Sequence, residues 1–442
     1  MYLTQLRLEN YRRFAALEID FHPKVTVIAA RNGQGKTSIL EAVATALGPF
    51  VGAFDLGKSK QIERIDARYA TLGEGFENEQ QYPVVIKAEA ATPLKIQWQR
   101  ALNGPKSRTT VKEAEPLANW GKQLQTDLRK DAKVVLPVVR YYSSKRLWVS
   151  PKGASGRPVL TESRTAGYED GLTTYSTYTQ LQEWMRKATF AVLQHGKQAG
   201  YEHSNLAARL AGIREAVNAV LSEEGWNDFH YSLTFDELAM SHPDHGALPL
   251  TLLSDGVRAM ISLVADLALR CARLNGELGE NAPQQTPGVV LIDELDLHLH
   301  PAWQQRVIAS LRKAFPKIQF ILSTHSPQVL STVERKNIRV IFQDQHGDWH
   351  AIAPSTEVKG VESALALNEI MGVNPVPPVP EAQWIADYTA RIENGTYEDQ
   401  AGKELREKLM ALYGPQHPII LDAERLIRFQ AFKLRKQSVD RG

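Results

Sequence analysis

Cysteine is nearly missing from this chain of 442 residues: Cys271 stands alone. No internal disulfide can form, which fits a reducing compartment. Cys271 lies inside an apolar helical pattern and reads as a core residue. Long hydrophobic runs are missing too. No stretch reaches the roughly 18 apolar residues that a membrane span needs. The start, Met1-Tyr2-Leu3-Thr4-Gln5, lacks the charged segment and apolar core of a secretory leader. The expectation is a cytoplasmic protein with no membrane partner. Neither sign of charge is in excess: 52 Lys and Arg face 50 Asp and Glu, for a net charge of +2. Bulk charge therefore argues for no polyanionic partner, although a local basic groove stays open. No heptad pattern is sustained, which excludes a long coiled coil, and no internal repeat is present.

What remains is a globular composition, 43% apolar and 23% charged. The length suggests two or three domains, or one with large insertions. Alternating Leu6 and Leu8, then Leu17, Ile19 and Phe21, predict strands within 2–28. Val25, Val27 and Ile28 form an apolar run that ends in Ala30-Arg31-Asn32-Gly33-Gln34-Gly35-Lys36-Thr37. Ile39, Leu40, Val43, Ala44 and Leu47 then recur at helical spacing, and Gly48-Pro49 is expected to close that helix. Val84-Val85-Ile86 and the alternating Leu94, Ile96 and Trp98 predict two more strands. Residues 134–139 predict another, at an edge or bulge because of Pro137. A Gly/Ser/Pro-rich loop is expected over 149–175, with helices near 178–195 and 204–222. Strand-helix alternation returns over 253–342. The Val376-Pro377-Pro378-Val379-Pro380 segment reads as a stiff linker. The expected organisation is α/β: a lobe over 1–101, a partly helical insertion over 102–250, a second lobe over 251–345 and a helical tail over 346–442.

The segment 30–37 has the spacing of a phosphate loop, with Ala30 where the first glycine usually stands. Consecutive backbone N–H groups in such a turn form an anion nest at a helix N-terminus. Asn32, Gly33, Gln34, Gly35, Lys36, Thr37 and Ser38 are the candidate nucleotide-binding residues. Lys36 is expected on the β- and γ-phosphates of ATP and Thr37 on Mg²⁺. The run Val289-Val290-Leu291-Ile292 ends in Asp293-Glu294. Asp293 is the candidate metal residue, and Glu294 the candidate that orients or deprotonates the attacking water. Ser254, Asp255 and Gly256 open a helix whose N-terminus could face a nucleotide held by a two-fold partner. His325, after the apolar strand 318–322, is placed to sense the γ-phosphate. His298 and His300 have no third metal ligand in sight and read as a dimer-contact loop, with Pro301 starting the next helix.

Taken together, Asn32–Thr37, Leu253-Ser254-Asp255-Gly256, Asp293-Glu294 and His325 resemble the ABC-type ATPases of the SMC and RecF-like group. The resemblance covers about 1–100 and 250–345. It implies an ABC-type P-loop ATPase head that hydrolyses ATP with Mg²⁺ in sandwich dimers, and homo-oligomers built from them. It places Arg12, in Asn10-Tyr11-Arg12, near the nucleotide, and makes Gln61 a guess for the glutamine that touches Mg²⁺. Asp255 and Val257 depart from the transporter-type signature. Residues 291–301, Tyr142 with Arg146-Leu147-Trp148, and Gly414 with His417-Pro418 look like the ATPases of Septu and retron-linked anti-phage operons. In that family the ATPase PtuA assembles with an HNH nuclease, PtuB. The resemblance thus implies a nuclease partner, and brings in a reverse transcriptase, retron RNA/DNA and DNA as further candidates. A repair clamp acting without a nuclease is the alternative. The basic, apolar last helix (Arg425, Leu426, Ile427, Arg428, Phe429, Phe432, Lys433, Leu434, Arg435, Lys436) fits either partner docking or packing on its own domain.

Overall fold

The computed structural model describes residues 1–71, 78–92, 95–144, 163–173, 178–195 and 205–439, with side chains described up to 433. The chain divides into two compact units, Met1–Gly372 and Val373–Gly442. The division falls after Gly372, later than the 345–346 boundary expected from the sequence. Residues 349–352 form a strand paired with Ile338–Gln343 and so belong to the first unit.

The first unit is built on a six-stranded sheet. Its order is Trp349–Ile352, Ile338–Gln343, Val25–Ala29, Ile318–Thr324, Gly288–Ile292, Val138–Tyr142. All neighbours are parallel except the first pair. Four of these strands, Val25–Ala29, Gly288–Ile292, Ile318–Thr324 and Val138–Tyr142, are buried at every position. That is why the first three read as mostly apolar runs rather than alternations. A four-stranded antiparallel sheet, of order Phe14–Asp20, Tyr2–Tyr11, Val84–Ala91, Lys95–Leu102, forms a second layer. The buried Gln319 amide ties the layers together. It accepts from Leu3 N (2.7 Å) and donates to Leu3 O (2.8 Å) and His22 O (3.0 Å).

Helix Lys36–Val51 is buried almost all round, as a helix clasped by two layers must be. It does not stop at Gly48-Pro49: Pro49 lies inside it. Proline removes an N–H and leaves the carbonyl four residues back without its helical donor. That carbonyl is Thr45 O, and Arg100 Nη1 donates to it at 2.8 Å. Trp98 Nε1 likewise donates to Ala46 O at 2.8 Å. The neighbouring strand satisfies the last turn, so the helix continues.

Strand Val138–Tyr142 begins immediately after Pro137, later than the 134–139 expected, and it is an edge strand, where proline is tolerated. It comes from the middle of the chain, so the 102–250 segment contributes to the central sheet. The same segment supplies helices Glu115–Leu128, Tyr178–His195 and Leu206–Leu221, and the antiparallel strands Asn227–Ser232, Glu237–His242 and Gly246–Pro249. Most of the expected 149–175 loop, and Arg146, Leu147 and Trp148, lie outside the described residues. Cys271 is buried in helix Asp255–Leu274, and burial pushes its thiol up to about 12.

The second unit holds three helices, Pro380–Glu393, Gln400–Tyr413 and Pro418–Val439. They close on a small core of Tyr388, Ile392, Leu409 and Ile420. Leu426 and Ile427 pack against that core, whereas Phe429 and Phe432 are exposed. Side chains of Leu434, Arg435 and Lys436 lie outside the described ones. Among the described residues no helix is long and apolar enough to cross a membrane.

Candidate nucleotide site

In a parallel sheet ligands gather at the carboxyl ends of the strands. Here strand Ile318–Thr324 lies between Val25–Ala29 and Gly288–Ile292. Three consecutive strand ends therefore deliver the phosphate loop, His325 and Asp293-Glu294 to one edge.

The loop residues Gly33 and Gly35 have φ of 75° and 90°, a region that strains side-chain-bearing residues. A Cβ on Gly35 would also sit 2.5 Å from the Phe14 ring. The helix after Gly35 has no side-chain cap and no acid in its first turn, so its amides and positive end face the loop. The buried Gln34 Oε1 has no hydrogen-bond partner among the described residues. Lys36 is buried, and its Nζ donates to Ala30 O at 3.0 Å. Burial pushes the ammonium down to about 8, against the pull of Asp293, Glu294 and Asp296. An arriving phosphate would supply the anion that this buried charge lacks.

Thr37 Oγ1 donates to Asp293 Oδ2 at 2.9 Å. Ser323 Oγ donates to Asp293 Oδ1 at 2.6 Å and accepts from Glu294 N at 2.8 Å. Both ends of the Asp293 carboxylate are thus held, and the turn that carries Glu294 (φ 48°) is pinned to the next strand. Asp293 N donates to Tyr142 O (2.8 Å). The Tyr142 hydroxyl in turn donates to Asp266 Oδ2 (2.7 Å), on the helix that Ser254 opens. Asp296 accepts from Thr324 Oγ1 (2.5 Å) and His325 N (3.2 Å). Burial first, and then the Lys36 charge, hold the His325 imidazole below its ordinary pKa. It is therefore neutral near pH 7, able to donate from one nitrogen and accept at the other.

The residues present fit a nucleoside triphosphate with a hard divalent ion. The loop offers an amide nest and a buried cation, and Thr37 with Asp293 offers the oxygen donors that Mg²⁺ prefers. Bound there, the ion would neutralise phosphate charge.

Sequence reading missed Ser323 and Asp296. Asp296 stands inside the 291–301 stretch and Ser323 just past the apolar strand 318–322, but nothing in their spacing separates a brace from a bystander. The other expected residues lie elsewhere. Arg12 is held by Asp66 (2.9 Å) and by Glu41 of the helix after the loop. Gln61 turns to Arg100 Nη2 (2.6 Å) and Ser59 O. Ser254 is the exposed N-cap of helix Asp255–Leu274 and makes no side-chain cap bond there. Asp255 pairs with Arg258. Gly256 packs where a Cβ would meet His298 O at 2.5 Å. His300 Nδ1 caps the short helix Pro301–Gln304.

With this edge in view and the similarities that follow, the chain is an ATPase. A family model described as "AAA domain" matches residues 5–217, and a second, described as "AAA domain, putative AbiEii toxin, Type IV TA system", matches 170–331. The chain is similar to the retron Ec83 probable ATPase of Escherichia coli, 24% identical over 95% of this chain and 85% of that protein. Septu protein PtuA of Bacillus thuringiensis is 31% identical over 26% of this chain and 28% of PtuA. The DNA replication and repair protein RecF of Clostridioides difficile is 20% identical over 79% of this chain and 98% of RecF.

Proposed function

We propose that this chain is the ATP-hydrolysing subunit of an anti-phage defence complex, and that it regulates an HNH nuclease of the PtuB type through nucleotide-dependent assembly. The observation that carries the reading is the similarity to a retron ATPase along nearly the whole chain, joined to the intact catalytic edge.

In this reading Lys36 and the amides of Asn32 to Ser38 hold the β- and γ-phosphates of ATP. Thr37 and Asp293 hold Mg²⁺. Glu294 takes the proton of the attacking water, and His325 donates to the γ-phosphate. Ser254, Asp255 and Gly256 face the nucleotide of a second copy, so hydrolysis waits on an ATP-sandwich dimer. Nucleotide state then shifts the population of assembled complexes. The chain works in the cytoplasm, and its wider partners are a reverse transcriptase with retron RNA/DNA. Arg12 acts at one remove, by fixing Glu41 and the start of the nucleotide-binding helix.

The test is to purify the chain with the products of its neighbouring genes and weigh the complex with and without ATP. The reading expects a nuclease-sized partner and DNA cutting that changes with ATP. A lone ATP-dependent dimer whose turnover is stimulated by DNA would instead favour a repair clamp, the reading that the RecF similarity supports.

A further inference from the structure

The edge of the central sheet opposite the catalytic one is basic. From Leu297 to Val333 the sequence has no Asp or Glu, and the stretch 303–339 sets seven Lys or Arg against Glu334 alone. The fold gathers these cations with Lys24. Strands Ile338–Gln343, Val25–Ala29 and Ile318–Thr324 are adjacent and parallel. Lys24 and Lys317 stand immediately before the first residues of their strands, and Lys336 in the turn two residues before its own. The pairings Phe320 to Val25 and Ile338 to Val27 offset them by one or two residues, so they form a staggered row along this edge. Backbone contacts hold the row in place: Phe320 N donates to Lys24 O (2.9 Å) and Asn337 Nδ2 to Val25 O (2.7 Å). Arg312 and Lys313 lie in the last turn of helix Val307–Ala314. All five of these cations are exposed. Burial and then the fields of Lys336, Arg312 and Arg339 hold His22 below its ordinary pKa, which places those charges around one point.

Acids do not neutralise the group. Asp20 and Glu334 are close, but Glu334 already serves both Lys336 (2.6 Å) and Lys359 (3.6 Å). Lys24, Arg312 and Lys313 have no ion pair among the described residues. Nor does an apolar anchor accompany them: no large hydrophobic side chain from 303 to 339 is exposed. Protein interfaces rely on buried aromatic or aliphatic anchors, and single strands on aromatic platforms. A duplex backbone needs only cations.

We propose that this edge, through Lys24, Arg312, Lys313, Lys317 and Lys336, binds the phosphate backbone of double-stranded nucleic acid. It does so without reading sequence, on the side of the sheet away from ATP. The strand Val25–Ala29 spans five residues, so duplex and nucleotide are separated by about 17 Å of sheet.

The experiment measures anisotropy of a labelled DNA duplex with the full chain, without nucleotide, from about 50 to about 200 mM salt. The charge-reversed Lys24→Glu/Lys313→Glu/Lys317→Glu variant is compared with Arg425→Glu/Arg428→Glu in the second unit. The parent binds with an affinity that falls steeply with salt. The edge variant loses at least about tenfold in affinity, and its salt slope flattens by about 0.9 per lost phosphate contact. Its ATP turnover in the absence of DNA is unchanged, and the tail variant binds like the parent. An RNA duplex binding with the same slope also supports the proposal, since both backbones carry the charge. Three results overturn it: no duplex binding at low salt, binding lost in the tail variant and kept in the edge variant, or polyglutamate bound in preference to duplex. The readout needs no nucleotide, so its failure and the failure of the ATPase reading are separable.

Discussion

Thr37 and Asp293 share a hydrogen bond of 2.9 Å across 256 positions of sequence. The bond brings together the start of helix Lys36–Val51 and the end of a strand two places away from Val25–Ala29 in the sheet. Asp293→Asn keeps an acceptor for Thr37 but removes the charge that a cation needs. The Mg²⁺ concentration for half-maximal ATP hydrolysis should rise by about tenfold or more. A Mg²⁺ titration at saturating ATP decides the matter, and an unmoved midpoint would take Asp293 out of the metal role.

Glu294 sits on a turn whose amide is held by Ser323, with its own φ at 48°. Glu294→Gln preserves shape and removes the proposed base. Turnover should fall by about 10²- to 10⁴-fold with ATP binding retained, so an ATP-dependent dimer should accumulate in light scattering. Hydrolysis at the parent rate would show that the proton goes elsewhere.

Lys36 makes a pH prediction. Its folded pKa lies near 8, below the ordinary 10.5. Below about pH 8 the ammonium is charged in both states, and its burial fully opposes folding. Between about 8 and 10.5 the unfolded chain binds more protons, so this penalty fades as pH rises. Lys36→Met should therefore raise the melting temperature of the nucleotide-free protein at pH 7, and the gap should shrink by pH 10. The same variant should lose all thermal stabilisation by ATP. A gap that widens with pH would contradict the burial argument.

How much of this is legible in sequence depends on where each constraint comes from. Lys36, Asp293 and His325 announce themselves because each follows a strand buried on both faces, and a mostly apolar run is visible without any partner. The end of the first helix is not legible in the same way. Gly48-Pro49 is a sound local stop signal, and it is overruled by Arg100, 55 positions from Thr45. Ser323 and Asp296 are invisible for a related reason: their partners lie across the sheet. The edge strand Val138–Tyr142 is legible in part: the 134–139 run and Pro137 point to an edge strand, but its start after Pro137 and its place beside Gly288–Ile292 come only from the pairing.

Arg100 follows as a stability test. It is buried and donates to Thr45 O, Lys60 O and Gln61 Oε1. Arg100→Met fills much of the space and orphans those acceptors. Unfolding in urea should show a loss of about 2–4 kcal/mol, since each buried unsatisfied group costs about 1–3 kcal/mol. Combining it with Pro49→Ala restores a donor to Thr45 O, and the double variant should recover part of that loss. No recovery would mean that Arg100 does not stand in for the missing amide.

Gly256 tests the N-terminus of helix Asp255–Leu274. A Cβ there would lie 2.5 Å from His298 O. The carbonyl cannot easily retreat, because its turn is closed by Leu297 N to Glu294 O and Leu299 N to Asp296 O, both 3.1 Å. Gly256→Ala must therefore displace the N-terminus of helix Asp255–Leu274, at about 1–3 kcal/mol for overpacking. If that N-terminus meets the nucleotide of a second copy, the displacement acts twice: a modest fall in melting temperature, and a larger loss of ATP-dependent dimerisation. Asp255→Ala removes an exposed pair with Arg258 and should leave the melting temperature unchanged. Sedimentation with ATP separates the effects. A Gly256→Ala protein that melts early yet dimerises like the parent would place this helix end away from the interface.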